Sequence, residues 1–127
     1  MGTKVYSCKK CGTFTTGSST PSNLGCPAGG SHSWSKITSD GSLEYISGYK
    51  ASGCKYCGGI VYSKSSLSNL GCSKHNTHSW HTLCSNSSGN PHQYQCKYCG
   101  KVVTCTTSPS NIGCSASGHS SHSWHRL

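Results

Sequence analysis

One phrase, written three times, limits what this chain can fold into. Cys8-Lys9-Lys10-Cys11-Gly12 leads to Asn23-Leu24-Gly25-Cys26 and then to His32-Ser33-Trp34. Cys54-Lys55-Tyr56-Cys57-Gly58 leads to Asn69-Leu70-Gly71-Cys72 and His78-Ser79-Trp80. Cys96-Lys97-Tyr98-Cys99-Gly100 leads to Asn111-Ile112-Gly113-Cys114 and His122-Ser123-Trp124. Each copy reads C-x2-C-G-x13-C, with a histidine after five, five and seven further residues. The repeat, about 42–46 residues long, divides the chain into three small units.

Three cysteines per copy cannot close on themselves as disulfides, whereas three thiolates and one imidazole complete a tetrahedral Cys3His site. The expected ligand sets are therefore Cys8, Cys11, Cys26 and His32; Cys54, Cys57, Cys72 and His78; and Cys96, Cys99, Cys114 and His122, for three Zn2+ ions per chain. His75 competes with His78 but has no counterpart in the first copy. In the third copy His119 competes with His122, and aligning the His-Ser-Trp favours His122 after a two-residue insertion. Units of about 40 residues bury too little apolar surface to stand on that alone. With 31% hydrophobic residues, one Phe and one Met, no sizeable shared core is expected. Structural zinc, contributing roughly 10–16 kcal/mol in small peptides, can take the place of one.

The expected class is all-β, with little or no helix: three tandem small metal-stabilised β modules, since no stretch has an amphipathic helical period or a defensible cap. Strands are expected before each first cysteine (Lys4 to Ser7, His92 to Gln95), after each knuckle (Phe14 to Thr16, Gly59 to Tyr62, Lys101 to Thr104), and from each His-Ser-Trp onward. Ser52-Gly53 reads as a loose approach to Cys54. Asp40-Gly41, flanked by alternating apolar residues from Ile37 to Ile46, is the strongest hairpin signal in the chain. The expected boundaries are module one at 1–38, a hairpin linker at 39–48, module two at 49–84, a linker at 85–91 and module three at 92–127. The second linker is compatible with another, longer hairpin.

Trp34, Trp80 and Trp124 lie two residues after each ligand histidine. On a strand this puts them on the same face as the histidine, as covers for the metal rather than base-stacking platforms. Lys9, Lys55 and Lys97 sit between the paired cysteines, where a cation offsets the charge of a Zn(Cys)3 site. With Lys10, Tyr56 and Tyr98 they also form a basic, partly aromatic knuckle tip, the best nucleic-acid feature of the sequence. His81 and His125 read as solvated strand residues. Cys84 and Cys105 stand outside the pattern, either paired as one disulfide or left as thiols. Asn86-Ser87-Ser88 is a glycosylation sequon, and Tyr6 stands where a myristoylation signal after Gly2 needs Ser or Thr.

The formal charge of +9 falls to about +6 once each site is counted as Zn2+ with three thiolates. That favours polyanionic partners, but the basic residues are scattered. With no apolar signal or membrane stretch and with reduced zinc cysteines, the default compartment is cytoplasmic and no membrane partner is expected; extracellular assembly stays open.

The plan of knuckle, strand, turn and second knuckle resembles a zinc ribbon. More narrowly, each copy is similar to short bacterial and phage zinc-ribbon-like proteins, which carry an aromatic, C-x2-C-G, a Ser/Thr/Pro-rich turn, G-C and H-x-W. Tyr6, Tyr94, Pro21, Pro109, Gly25, Gly71 and Gly113 fit that pattern. The chain departs from it in its threefold repetition and from the commonest ribbons in lacking a second C-x2-C. The resemblance implies fold and metal and no activity. Four protein ligands leave no open metal position, and the two carboxylates, Asp40 and Glu44, fall in the first linker, so no enzyme is expected. The expected function is that of a structural or protein-interaction module, able to self-associate, with nucleic-acid binding through Lys9, Lys10, Lys55, Tyr56, Lys97 and Tyr98 as the alternative.

Overall fold

Each unit is built around the strand that carries the chain into its first cysteine pair. The computed structural model describes residues 3–27, 29–64, 66–86, 89–116, 118–119 and 121–127, and among these it holds strands and turns without helix. In the first unit β1 (Thr3–Cys8) lies between β2 (Phe14–Gly17) and β3 (Trp34–Ser42). In the second, β4 (Lys50–Cys54) pairs with β5 (Ile60–Ser63). The short ribbon of β6 (Leu70–Cys72) and β7 (Asn76–Thr77) follows, and β8 (Trp80–Cys84) returns to the other edge of β4. In the third, β9 (His92–Cys96) lies between β10 (Val102–Cys105) and β11 (Trp124–Arg126). The all-β, turn-rich class is the one expected, and the sheets do not close.

Three expectations about the connections fail. Asp40-Gly41 makes no hairpin: β3 runs straight through it and goes on to pair with β5, Gly41 opposite Ser63 and Ser42 opposite Tyr62. The glycine serves close packing instead. A Cβ there would meet Thr38 Cγ2 at 2.5 Å and the Tyr62 carbonyl oxygen at 2.8 Å. The Asp40 carboxylate accepts a hydrogen bond from the Tyr49 hydroxyl at 2.7 Å. β3 thus joins the first two units in one sheet of order β2-β1-β3-β5-β4-β8. The supposedly loose Ser52-Gly53 lies in β4, flanked by β5 and β8, and is buried. The 85–91 linker makes no hairpin either, because β8 and β9 belong to different sheets. Asn86, with a φ of 51°, turns the chain. Its carbonyl accepts from Gly48 N–H, and its side-chain amide bridges the Thr106 N–H and the Thr104 carbonyl. Asn86 is therefore buried and committed, while Ser87, Ser88 and Gly2 lie outside the described residues.

Apolar cores do form, and each draws side chains from two neighbouring units. Val5, Ile37 and Val61 make one cluster, with Phe14, Leu43, Leu67 and Trp80 packed against it. Tyr49, Ala51, Tyr62, Leu83 and Val103 make another around Cys84 and Cys105. Those two cysteines are bonded to each other, tying the end of β8 to the end of β10. Tyr62 adds a hydrogen bond across the same junction, its hydroxyl accepting from Thr104 N–H at 2.9 Å. Thr38 and Ser63, both buried, stand at the corresponding two places of the first junction.

Gly41→Ala is expected to lower stability by roughly 1–3 kcal/mol, the usual cost of overpacking a closed contact. Urea unfolding measures it, and an unchanged midpoint would mean β3 and β5 do not meet there. Replacing both Cys84 and Cys105 with serine removes a cross-link spanning 21 residues, a loss of about 3 kcal/mol by loop-closure entropy. Thermal unfolding with and without reductant reads that loss, and metal content should not change.

Candidate metal centres

A C-x2-C-G turn places two thiols on one side because its backbone N–H groups close over the first sulfur. Gly12 N–H donates to the Cys8 carbonyl, Gly58 to Cys54 and Gly100 to Cys96, at 2.9–3.0 Å. These three glycines take φ values of 78°, 75° and 73°, a left-handed conformation that side chains other than glycine's resist. The turn is locked to the exit segment by Lys9, Lys55 and Lys97, whose N–H groups donate to the carbonyls of Ser33, Ser79 and Ser123. The second half of each site is held the same way. His32, His78 and His122 donate their N–H groups to the carbonyls of Asn23, Asn69 and Asn111. The tryptophan Nε1–H groups donate to the carbonyls of Ser22, Ser68 and Ser110 at 2.8–2.9 Å. One local sequence thus gives one geometry three times.

The twelve expected ligands come together as three groups: Cys8, Cys11, Cys26 and His32; Cys54, Cys57, Cys72 and His78; Cys96, Cys99, Cys114 and His122. Within each group the four donor atoms lie within 4.8 Å of one another. Cys8 and Cys26 sulfurs are 3.9 Å apart, as are those of Cys96 and Cys114. The histidine Nδ1 atoms approach the second cysteine of each pair at 3.6, 3.5 and 3.6 Å. These separations suit one tetrahedral ion, for which thiolates bound at about 2.3 Å stand about 3.8 Å apart, and a thiolate and imidazole nitrogen about 3.5 Å. The donor is therefore Nδ1. In the second site this leaves Nε2 pointing out of the group, 3.4 Å from the hydroxyl oxygen of Ser7, which itself donates to the Gly71 carbonyl. Sequence gave no sign of this bridge, since Ser7 has Gly53 and Gln95 as its counterparts.

The electrostatics favour an ionised first cysteine. Burial opposes ionisation of Cys8 and Cys96, but hydrogen bonds from surrounding backbone N–H groups and the ligand histidine outweigh it and bring both thiols to about 6. A hydrogen bond from Cys57, the largest influence, brings Cys54 to about 3 and drives Cys57 upward. Burial, reinforced by the neighbouring Cys96 thiolate, pushes Cys99 up to about 11. Such a site meets a cation with one thiolate ready and releases the remaining two thiol protons as the cation binds.

The tryptophans cover the ligand histidines as expected, with ring centroids 4.5, 4.6 and 4.3 Å apart in the three sites. The competing histidines are occupied elsewhere. His75 stacks on Tyr56 at 3.9 Å and His119 on Tyr98 at 3.7 Å, so the inserted loop of the third unit buttresses the knuckle tip and leaves the ligand position to His122. Lys10, in the position held by these tyrosines, reaches instead to the carbonyls of Ser31 and Gly29.

Among the described residues no helix is long and apolar enough to cross a membrane. Compared with known proteins, the chain matches no protein family, no curated protein and no solved structure.

His122→Ala is expected to reduce metal content from three ions per chain to two, while His119→Ala leaves it at three. Native mass spectrometry distinguishes them, and the reverse result would reassign the ligand.

Proposed function

We propose that each Cys3His group holds one Zn2+ ion, three per chain, and that the protein is a non-catalytic structural or protein-interaction module of zinc-ribbon-like units. The observation carrying this is the donor spacing, repeated three times and fitting a four-coordinate ion with thiolate and imidazole ligands. Bound zinc would supply folding free energy to units whose own interiors hold few apolar side chains. A full protein coordination shell leaves no position for a water to be activated. Asp40 is engaged by Tyr49 and Glu44 is exposed, so neither stands ready as an acid or base at a metal.

The partners on this reading are other proteins or copies of the same chain. Nucleic-acid binding is the weaker alternative. Tyr56 and Tyr98 remain partly exposed beside Lys55 and Lys97, but one face of each ring is already covered by histidine, and Lys10 is turned onto carbonyls.

Native mass spectrometry before and after chelation tests the zinc assignment. Three zincs per chain, with loss of folded charge states on chelation, is the expected result; fewer than three, or a fold indifferent to chelation, would overturn it. Titration with a single-stranded oligonucleotide at two salt concentrations separates the partner classes. Affinity falling by about 0.7 log units per phosphate contact for each tenfold rise in salt marks nucleic-acid binding.

A further inference from the structure

The two junctions inside the chain use one pair of surfaces. The front of a unit is its knuckle glycine with the first residues of the exit strand; the back is the turn carrying the third cysteine. At the first junction, Gly71 of the second unit lies against Ser35 of the first, so that an added Cβ would meet the Ser35 side chain at 2.6 Å. Ser73 lies equally close over Gly12. At the second junction, Gly113 lies against His81, where an added Cβ would be 2.7 Å from the ring, and Ser115 lies over Gly58 at the same distance. Ser35 and His81 occupy the same position in their units, as do Ser73 and Ser115. Unit two therefore docks on unit one as unit three docks on unit two.

Such a stack leaves one front and one back uncovered. In the third unit Gly100 has nothing within 4 Å of an added Cβ and is exposed, whereas its counterpart Gly58 is buried. Val102 stands where Phe14 of the first unit packs on His78 and Trp80 of the second, and it is 41% exposed. His125, in the place of His81, is exposed as well. At the other end, Gly25 has nothing within 4 Å and is exposed, while Gly71 and Gly113 are buried. Leu24 is 78% exposed, against 59% for Leu70 and 56% for Ile112 in the docked units.

We infer that the third unit's front takes the first unit's back of a second copy of this chain, so that molecules associate head to tail. What identifies the occupant is the repeated junction itself. The uncovered back carries the same Asn-Leu-Gly-Cys turn as Asn69–Cys72 and its Ile112 counterpart, with Pro27 in the place of Ser73 and Ser115, and His125 against Gly25 would repeat the contact of His81 with Gly113. The contact is heterologous, its two halves being different surfaces, so association continues into rings or filaments instead of stopping at a dimer. It lacks the β3–β5 pairing and the disulfide of the internal junctions and is accordingly weaker and concentration-dependent. This deepens the proposed structural role and rests on the units being folded around their metal.

Pro27→Glu and Val102→Glu test it in the full, metal-loaded chain: Pro27 stands in the place of Ser73 and Ser115 and Val102 in that of Phe14, so each blocks one end and leaves the other intact. By sedimentation velocity the unmodified protein should grow past the dimer as concentration rises, and each variant alone should stay monomeric. An equimolar mixture of the two should form dimers and nothing larger, since one intact front and one intact back remain to meet. A protein monomeric up to about 1 mM would overturn the inference, that being the weakest association worth calling specific. So would a growth arrested at dimer, variants that still assemble, or a mixture that stays monomeric. Native mass spectra of the same samples separate this from failure of the zinc assignment. Three zincs per chain in both variants show folded units, whereas missing zinc counts against the metal sites.

Discussion

Convergence of four donor atoms on one point is the constraint on which everything else hangs. Three sulfurs and an imidazole nitrogen, packed within 4.8 Å, repel one another or compete for protons unless a cation lies between them. The opposing behaviour of Cys96 and Cys99, one thiol held acidic and the other basic, expresses that frustration directly. The surrounding hydrogen bonds make sense as its scaffold. Knuckle N–H groups, the Asn carbonyls that fix each histidine and the Trp indoles that cover it fasten short strands to the ligand positions and to little else.

The scaffold is not self-sufficient, and the chain covers its weakness at the junctions. Val5 and Ile37 of the first unit meet Val61 of the second, and Leu83 of the second meets Val103 of the third beside the Cys84–Cys105 bridge. Ser7 reaches from the first unit to a ligand of the second. Disturbing one metal centre should thus be felt by its neighbour, through side chains that coordinate nothing.

The grouping of the cysteines and histidines and the strand positions were legible because they rest on local chemistry: a C-x2-C-G turn, a two-residue strand period and an odd count of cysteines. His122 was legible from its Ser-Trp, although only the stack of His119 on Tyr98 explains the extra histidine. The junctions were not legible. Asp-Gly is a turn signal only when the flanking strands pair with each other, and here β3 has β1 and β5 as its partners. Ser52-Gly53 looked loose because it is small, yet it lies in a strand paired to β5 on one side and β8 on the other. Small residues at an interface and small residues in a loop are written alike, and only the third dimension separates them.

The single disulfide sets a demand on the order of events during maturation. Nine other cysteines in the same chain stand outside that bond and near one another in threes. An oxidant that can join Cys84 to Cys105 can as readily join Cys8 to Cys26 or Cys96 to Cys114, whose sulfurs are already neighbours. On the proposed reading, metal would have to arrive before the oxidant, serving as a protecting group for nine thiols while the remaining two find each other.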